Sequence, residues 1–470
     1  ATGLGVAVDA SSRGYRVLLV EQHDFAKATS SRSTKLVHGG VRYLQQGDVS
    51  MVVEALHERG RLWRNAPHLV KDMRFIIGNY RWWERPFYTI GLCCYDLLAG
   101  RLGLGRSLPL SKKQTLKELP GLLHDHLRGG VVYHDGQFDD SRMAITLMQS
   151  AHDHGAICIN YMKVTSLIKN DSGKICGAAL EDTLEGGTYE VNVKGVVNAT
   201  GVYVDDIMQM DKPESRKKVR PSQGVHIVVD AAFLGGNSAL MIPKTRDGRV
   251  LFGVPWHGKA VLGTTDTPLN ENSLEPKPLD EEIDFILDQA GQYLTRKPKR
   301  SDVLSVFAGL RPLAAPTHSD SKKTKEISRN HKIYVSDSGM LTITGGKWTT
   351  YRQMAEEAVN KVAALIGLEP RACVTRKMQL HGYWEEVDRS VWDYVYGSDA
   401  DQIAALIEND ASLGELLHIG YTFRVAHVIW AVREEMAQTV EDVLARRVRA
   451  LFMDARAAME MAPRVAAIMA

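Results

Sequence analysis

A short polar stretch near the start of the chain carries most of the residue types that could do chemistry. Residues 29–43 read TSSRSTKLVHGGVRY, and they follow an apolar run at 17–20 that ends in Glu21. A strand that ends in an acidic residue is typical of a dinucleotide-binding unit, because the carboxylate can accept hydrogen bonds from both ribose hydroxyls of an adenosine. Glu21 is therefore a candidate cofactor contact.

The polar stretch combines small hydroxyl donors with a pair of glycines. Donors to a pyrophosphate, without bulk, are offered by Thr29, Ser30, Ser31 and Ser33. Gly39 and Gly40 let the backbone approach a flat ring, and Arg42 and Tyr43 would bring a cation and a phenol beside it. The alternative interpretation of the serine-rich run alone is a polar surface loop.

The first residues read as the tail of a glycine-rich loop that enters a helix at 6–13. Gly3 can serve as the last glycine of a G-x-G-x-x-G fingerprint, whose strand and first two glycines do not precede it. The sequence therefore indicates that the chain begins late, inside the fingerprint, and it leaves a missing leader open.

Three later segments offer further backbone contacts to a cofactor. Val164 lies on a predicted strand that could reach an adenine edge. Residues 189–197 alternate and then run into Asn-Ala-Thr-Gly, so a strand is predicted to end at Ala199 and Gly201, with a plain strand-to-helix turn as the alternative. Residues 345–350, GGKWTT, are predicted to end a strand and open a helix over 348–366.

Two cations emerge from these patterns. Arg311 follows the largely apolar residues 303–310 and precedes a proline, so its side chain is expected to emerge from a buried strand. A buried arginine needs an anionic partner such as a phosphate. Lys347 lies at the predicted helix start, where neighbouring arginines would lower the pKa of its ammonium and make it a candidate proton acceptor. A solvent-facing lysine is the alternative.

Other candidates have equally ordinary alternatives. His226, in SQGVHIVVD, is a second candidate base or a satisfied core histidine. Thr264 and Thr265 could donate to a phosphate or form a turn. Arg329, in a charged stretch, is either a phosphate clamp or a surface arginine.

Composition excludes several classes of protein. A chain of 470 residues with 44% hydrophobic residues can form two or three domains with sizeable cores. A net charge of +2 gives no support to general nucleic-acid binding. Five cysteines without CxxC spacing argue against a disulfide framework and against a metal site, and they fit a reducing cytoplasm.

Five ordered motifs resemble one known family. ATGLGVAVDASSRGYRVLLVEQHDF, TSSRSTKLVHGGVRYL, VVNATGVYVDDI, AGLRPL and TGGKWTTYRQMAEEAV are similar to segments of the FAD-dependent glycerol-3-phosphate dehydrogenases, the membrane-associated respiratory enzymes. The resemblance covers most of residues 1 to about 365 and returns in EDVLARRVRALFMDARAA. No D-x-D-x-D-G calcium loop occurs, so the chain resembles the bacterial form.

The resemblance implies an activity and a site. The expected reaction is oxidation of sn-glycerol 3-phosphate to dihydroxyacetone phosphate by non-covalent FAD, with electrons passed to quinone at the cytoplasmic face of the cell membrane. The residues expected around the phosphate and the reacting carbon are Arg42, Tyr43, Arg311, Arg329 and Lys347. From the motifs together, the expected FAD contacts are Gly3, Glu21, Thr29, Ser30, Ser31, Ser33, Leu36, His38, Gly39, Val164, Ala199, Gly201, Gly346, Lys347 and Thr349.

The predicted fold is α/β, with a discontinuous Rossmann-like FAD-binding domain over 1–80, 140–210 and 303–370. An antiparallel-sheet substrate domain is expected over 81–139 and 211–302, and a C-terminal helical domain over 375–470. That helical tail could form a homodimer surface or a cap.

Residues 81–106 combine an apolar run with tryptophans and flanking arginines. The run is too short to cross a bilayer, so it is expected to lie on the inner membrane surface or, alternatively, to form a buried helix pair. An oxidase using O2 and a non-catalytic flavoprotein docked on a membrane are the rival functions.

Overall fold

The computed structural model describes residues 1–45, 47–314 and 331–470. Its helices are α1 (Thr2–Ser12), α2 (Val41–Gln45), α3 (Val49–Asn65), α4 (Glu84–Ala99), α5 (Lys112–Glu118), α6 (Asp140–Asp153), α7 (Val204–Asp211), α8 (Asp280–Gly291), α9 (Tyr351–Leu365), α10 (Ala400–Asn409), α11 (Val425–Arg433), α12 (Ala450–Met453) and α13 (Ala455–Met469). Short 3-10 and π segments connect several of them.

The strands form one large sheet and three small ones. Their bounds are β1 (Leu18–Val20), β2 (Leu36–Val37), β3 (Lys71–Asn79), β4 (Leu108–Ser111), β5 (Gly129–Gln137), β6 (Ile157–Ile159), β7 (Met162–Lys169), β8 (Ile175–Asp182), β9 (Gly187–Asn192), β10 (Val197–Asn198), β11 (Val219–Asp230), β12 (Ala239–Ile242), β13 (Leu251–Trp256), β14 (Lys259–Gly263), β15 (Thr267–Pro268), β16 (Ser305–Ala314), β17 (Lys332–Val335) and β18 (Leu341–Thr344).

The cofactor-binding unit is built around helix α1. Strand β1 pairs in parallel with β6, β10 pairs in parallel with β18, and α1 packs against both α6 and α9. Parallel strands require crossover connections, which here contain the helices. This arrangement confirms the predicted Rossmann-like α/β fold.

The large sheet has the order β15-β11-β14-β13-β12-β3-β5-β2, with β16 added to β11 and β4 added to β5. Helix α8 covers one face, over a core that includes Ile227, Leu262 and Ile286. The sheet is mostly antiparallel, as predicted for the substrate domain. The sequence patterns grouped β3 and β16 with the FAD-binding segments, but both strands form hydrogen bonds in this sheet, and β16 pairs with β11 from Val219 to Val228. The domain boundaries themselves stay a prediction.

The single strand predicted over 189–197 is wrong. Strand β9 pairs with β8, whereas β10 pairs with β18 of another sheet. The chain changes sheets around Gly195, where a Cβ would lie 3.0 Å from Ile366, so a side chain would meet the end of helix α9.

The C-terminal part is helical, as predicted, from α10 to α13. Its core is continuous with that of the cofactor-binding unit, since Leu4 and Met143 belong to the same buried cluster as Val443 and Met461. Thr439 and Asp442 form a reciprocal pair just before Val443: Asp442 N donates to Thr439 Oγ1, and Thr439 N donates to the Asp442 carboxylate. Helix α13 is capped by Asp454.

Candidate active site

Glu21 lies directly after β1, at the carboxyl end of the parallel pair. Its backbone N–H donates to Ile159 O at 2.9 Å, and its Oε1 accepts a hydrogen bond from His23 N at 3.1 Å. Burial raises the pKa of the Glu21 carboxyl to about 7. Met162 N donates to Glu21 O, so β7, which carries Val164, starts beside this carboxylate. The position suits an acceptor for ribose hydroxyls.

The start of α1 meets the end of β10. A Cβ at Gly3 would lie 3.7 Å from the Cβ of Ala199, and Gly201 has a φ of 62° in the turn that follows. The amino group of Ala1 donates to Ser30 Oγ at 2.9 Å. Gly3, Ser30 and Ala199 are therefore close to one another, and a helix N-terminus points into the space between them.

The other hydroxyls of the polar stretch hold the stretch itself in place. Thr29 Oγ1 donates to Leu310 O at 2.7 Å, and Ser33 Oγ donates to Asp140 at 2.7 Å. Ser31 is buried, and its Oγ donates to Ala28 O. Contact of these three residues with a pyrophosphate stays a prediction.

The glycine pair brings the predicted phenol and ammonium together. Gly40 has a φ of 75°, and a Cβ there would lie 2.6 Å from the Tyr43 ring and 3.4 Å from Lys347 Nζ. Lys347 Nζ lies 4.0 Å from the centre of the Tyr43 ring. A cation over an aromatic face is an attractive pair, and only a glycine at position 40 leaves room for it.

Segment 345–350 carries Lys347. Strand β18 ends at Thr344, and a 3-10 turn, Trp348–Thr350, opens into α9 as predicted. Gly346 has a φ of 78° and packs against Met354. Thr349 Oγ1 accepts a hydrogen bond from His38 N at 3.1 Å and donates to His38 O at 3.4 Å. Leu36, two residues earlier, pairs with Gln137 in the large sheet.

Arg311 lies on β16 and folds over the neighbouring strand β11. Its guanidinium donates to Thr264 Oγ1 and Thr265 O, both at 3.0 Å, and lies 3.5 Å from Asp266. Gly224 makes this possible, because a Cβ there would collide with the guanidinium. The Arg311 side chain is about a quarter exposed.

The two predicted threonines differ in their surroundings. The hydroxyl of Thr265 is buried, donates to Glu282 at 2.8 Å and accepts a hydrogen bond from Val225 N at 3.0 Å. Thr264 instead presents its hydroxyl to Arg311. Thr264 is therefore better placed than Thr265 to meet a substrate.

His226 lies on the same face of β11 as Gly224. Its Nε2 is 2.9 Å from Thr34 Oγ1, its ring stacks on Phe307, and its Nδ1 has no hydrogen-bond partner among the described residues. Burial holds the pKa of His226 well below its usual value, and the charges of Lys35 and Arg311 act in the same direction. The imidazole is therefore neutral near pH 7, which suits a base and a core histidine alike.

The segment 34–40 connects these groups. Thr34 contacts His226, and Gly40 contacts Lys347 and Tyr43. Arg42 lies in α2, but its side chain lies outside the described part of the structure, as does all of Arg329. Among the described residues, no group of three or more His, Cys, Asp or Glu side chains could hold a metal ion.

Sequence reasoning missed a buried charged cluster beneath this segment. Lys35 Nζ donates to Asp140 at 2.7 Å and to Ser31 O at 2.6 Å, and Arg449 donates to the same two residues. Burial lowers the pKa of Lys35 to about 8, against the opposing effect of Asp140. The charged residue types are visible in the sequence, but the pairing of positions more than 100 residues apart gives no local signal.

The described residues fit FAD. At Gly3 and Gly40 the backbone can come close to a ligand, and the acidic residue Glu21 directly follows β1. A dinucleotide-binding site needs both features. Lys347 precedes a helix start, where positive charge suits a ring that gains negative charge on reduction.

Comparisons with known proteins agree with this geometry. Residues 1–352 match the family described as FAD dependent oxidoreductase, and residues 340–470 match the C-terminal domain of alpha-glycerophosphate oxidase. A probable mitochondrial glycerol-3-phosphate dehydrogenase of Caenorhabditis elegans is 40% identical over all of this chain and 69% of its own length. A mitochondrial glycerol-3-phosphate dehydrogenase of Arabidopsis thaliana is 41% identical, over 100% and 81% respectively.

Solved structures show the same fold. The glycerol-3-phosphate dehydrogenase of Bacillus halodurans, complexed with FAD, superposes with a TM-score of 0.79 at 31% identity, covering 100% of this chain and 88% of that one. An L-alpha-glycerophosphate oxidase of Mycoplasma pneumoniae shares the fold at 18% identity, with a TM-score of 0.60, covering 80% of this chain and 95% of that one. The chain belongs to the family of FAD-dependent glycerol-3-phosphate dehydrogenases, and its cofactor is FAD.

Proposed function

We propose that this protein oxidises sn-glycerol 3-phosphate to dihydroxyacetone phosphate and that its electrons pass to a membrane quinone. The observation that carries the proposal is the contact of Lys347 with Tyr43 beside Gly40. Arg311 lies on the large sheet, on the other side of segment 34–40. The cationic donors Lys347 and Arg311 suit a small phosphorylated alcohol. The relatives named above are dehydrogenases of this substrate.

The residues divide the work of holding the substrate and moving its proton. Bound FAD supplies the acceptor for the hydride that leaves the carbinol carbon. Arg311 and Lys347, with the predicted Arg42 and Arg329, would hold the phosphate and orient the hydroxyl. His226, which is neutral, or Lys347 after loss of the ammonium proton would take the hydroxyl proton.

Helix α4 supports docking on a membrane surface. Its exposed side carries Phe87, Ile90 and Leu97, with Trp82 just before the helix, and Leu97 is 80% exposed. Aromatic and aliphatic side chains on one side of a helix, with arginines at its ends, suit the headgroup region of a bilayer. Among the described residues, no helix has the length and apolarity needed to cross a bilayer.

The test is anaerobic mixing of the oxidised holoenzyme with sn-glycerol 3-phosphate. The flavin absorbance should bleach, and a soluble quinone should restore it. If the colour persists, the protein is not this enzyme, and the non-catalytic alternative holds.

An oxidase is the second candidate, because residues 340–470 match the C-terminal domain of alpha-glycerophosphate oxidase. Oxygen consumption and peroxide formation by the detergent-purified protein, compared with its reduction of quinone, separate the two. Rapid peroxide formation would favour the oxidase.

A further inference from the structure

A buried carboxylate lies behind the glycine pair. Asp135, on β5, is 2% exposed, and its Oδ1 accepts hydrogen bonds from Arg59 Nη1 at 2.6 Å and from Gly39 N at 3.2 Å. Tyr95 Oη donates to the same carboxylate at 2.9 Å. Arg59 and Tyr95 are also buried, so the three side chains form a desolvated cluster in which the charges are paired.

Asp135 of this cluster and Thr349 hold one peptide plane from both sides. The N–H of the His38–Gly39 peptide points to Asp135, and the C=O of the same peptide points to Thr349. These two groups point in opposite directions in a trans peptide, so anchoring both of them stops rotation of the plane. Gly40, the residue that contacts Lys347 and Tyr43, follows immediately.

Contact with Tyr95 leaves no room for a side chain at position 39. A Cβ at Gly39 would lie 2.5 Å from both Tyr95 Oη and Leu56 Cδ2. Tyr95 lies on the buried side of α4, whose other side carries the exposed apolar residues. The Tyr95 side chain and the Asp135 carboxylate therefore connect helix α4 to the glycine pair.

We infer that Asp135 and Tyr95 are positioning residues that orient the His38–Gly39 peptide against the flavin and tie helix α4 to the flavin site. This inference rests on the proposed function only in placing the flavin ring at Gly39 and Gly40. Neither side chain touches the substrate. Both act through the His38–Gly39 peptide.

The test uses Tyr95→Phe, which keeps the ring in the core and removes the hydroxyl. The matched control is Tyr133→Phe, because Tyr133 is equally buried and stacks against Phe75, and within the described part of the chain its hydroxyl donates to Met241 Sδ alone. The measurements on the holoenzymes are the visible flavin spectrum, the FAD dissociation constant, and kcat and KM for sn-glycerol 3-phosphate.

Tyr95→Phe should shift the flavin absorption bands, weaken FAD binding about tenfold and lower kcat with KM nearly unchanged, since a buried hydrogen bond is lost. Tyr133→Phe should leave all three unchanged. Asp135→Asn should give the larger effect where it folds. A Tyr95→Phe protein with the spectrum, FAD affinity and kcat of the parent would overturn the inference.

Failure of the inference is distinguishable from failure of the proposed function. The spectrum and the FAD affinity require no substrate, so they report on the peptide even if sn-glycerol 3-phosphate does not bleach the flavin. If the parent protein does not bleach but Tyr95→Phe has a shifted spectrum, the positioning role is supported and sn-glycerol 3-phosphate is excluded as the substrate.

Discussion

At the residue scale, the candidate site depends on side chains whose surroundings change their ordinary chemistry. Burial keeps His226 neutral and raises the pKa of Glu21, while the Arg311 side chain stays about a quarter exposed. Each of these residues was singled out from its place in the sequence, but His226 contacts Thr34 and Arg311 contacts Thr264, which come from distant segments. The chemistry of each residue is therefore decided by neighbours that the local sequence does not name.

Replacing Arg311 by Ala should remove about 2 to 5 kcal/mol of transition-state stabilisation, because a desolvated phosphate or alkoxide would lose its cation. The measurement is kcat/KM of the holoenzyme. Arg246→Ala is the control, since Arg246 is an exposed arginine paired with Asp288. A loss of less than about twofold in kcat/KM would exclude Arg311 from the site.

Glu21 should make both stability and cofactor binding depend on pH. Because burial raises the pKa of its carboxyl to about 7 in the folded protein, its contribution to the free energy of unfolding is present at low pH and lost as pH rises through about 7. FAD needs the ionised acceptor, so FAD affinity should rise over the same interval. Fluorescence titration with FAD at about pH 6 and about pH 8 measures this change.

The Glu21→Gln variant should flatten both pH dependences and weaken FAD binding about ten- to a hundredfold, since a charged acceptor is replaced by a neutral one. Unchanged FAD affinity in this variant would remove Glu21 from the adenosine site.

At the scale of elements, short segments meet the site from several sheets and helices. Segment 34–40 runs from β2 toward α2, and it contacts β11 through Thr34 and the start of α9 through His38. Sequence patterns predicted an antiparallel sheet that includes residues 211–302, and strands β11 to β15 lie there in a mostly antiparallel sheet. They missed the break at Gly195, since an apolar run does not show that its two halves join different sheets.

Helix α4 is the element for which the sequence predicted an exposed apolar side. Leu97→Glu should weaken binding of the holoenzyme to anionic lipid vesicles, because a charge would enter the headgroup region. Anionic vesicles are the probe, and cosedimentation is the measurement. Activity with a soluble quinone should stay the same, since Leu97 is 80% exposed.

Leu184→Glu is the matched control for this experiment, because Leu184 is an exposed leucine in the turn between β8 and β9. Equal loss of vesicle binding in both variants would show that added charge, and not the position of α4, is responsible.

At the scale of the whole molecule, buried ion pairs join the C-terminal helices to the cofactor-binding unit. Arg142 of α6 forms a bidentate pair with Glu435, at 2.6 and 2.8 Å, and Arg447 forms another with Asp24. Burial opposes ionisation of Asp24, but the guanidinium groups of Arg447 and Arg446 outweigh it and hold its pKa below the usual value. These pairs fix the helical part against the strand that carries Glu21.

Breaking one of these pairs should destabilise the whole protein. Glu435→Gln should cost about 3 to 5 kcal/mol, because it leaves Arg142 buried without its counter-charge. Thermal unfolding followed by circular dichroism measures the loss as a lower Tm. The control is Glu460→Gln, whose carboxylate is exposed and pairs with His418. A Tm as high as that of the control would show that the pair contributes little.

The sequence by itself determined the α/β fold class, the family, and the residue types of the site, because periodicity, turn residues and the motifs around Gly3, Gly40 and Lys347 are local signals. Only the tertiary structure decided which charges meet. Lys35 with Asp140, and Asp135 with Tyr95, are pairs from distant segments that are brought together by the burial of shared cores. Such contacts are set by the packing of whole elements, and no spacing within one segment encodes them.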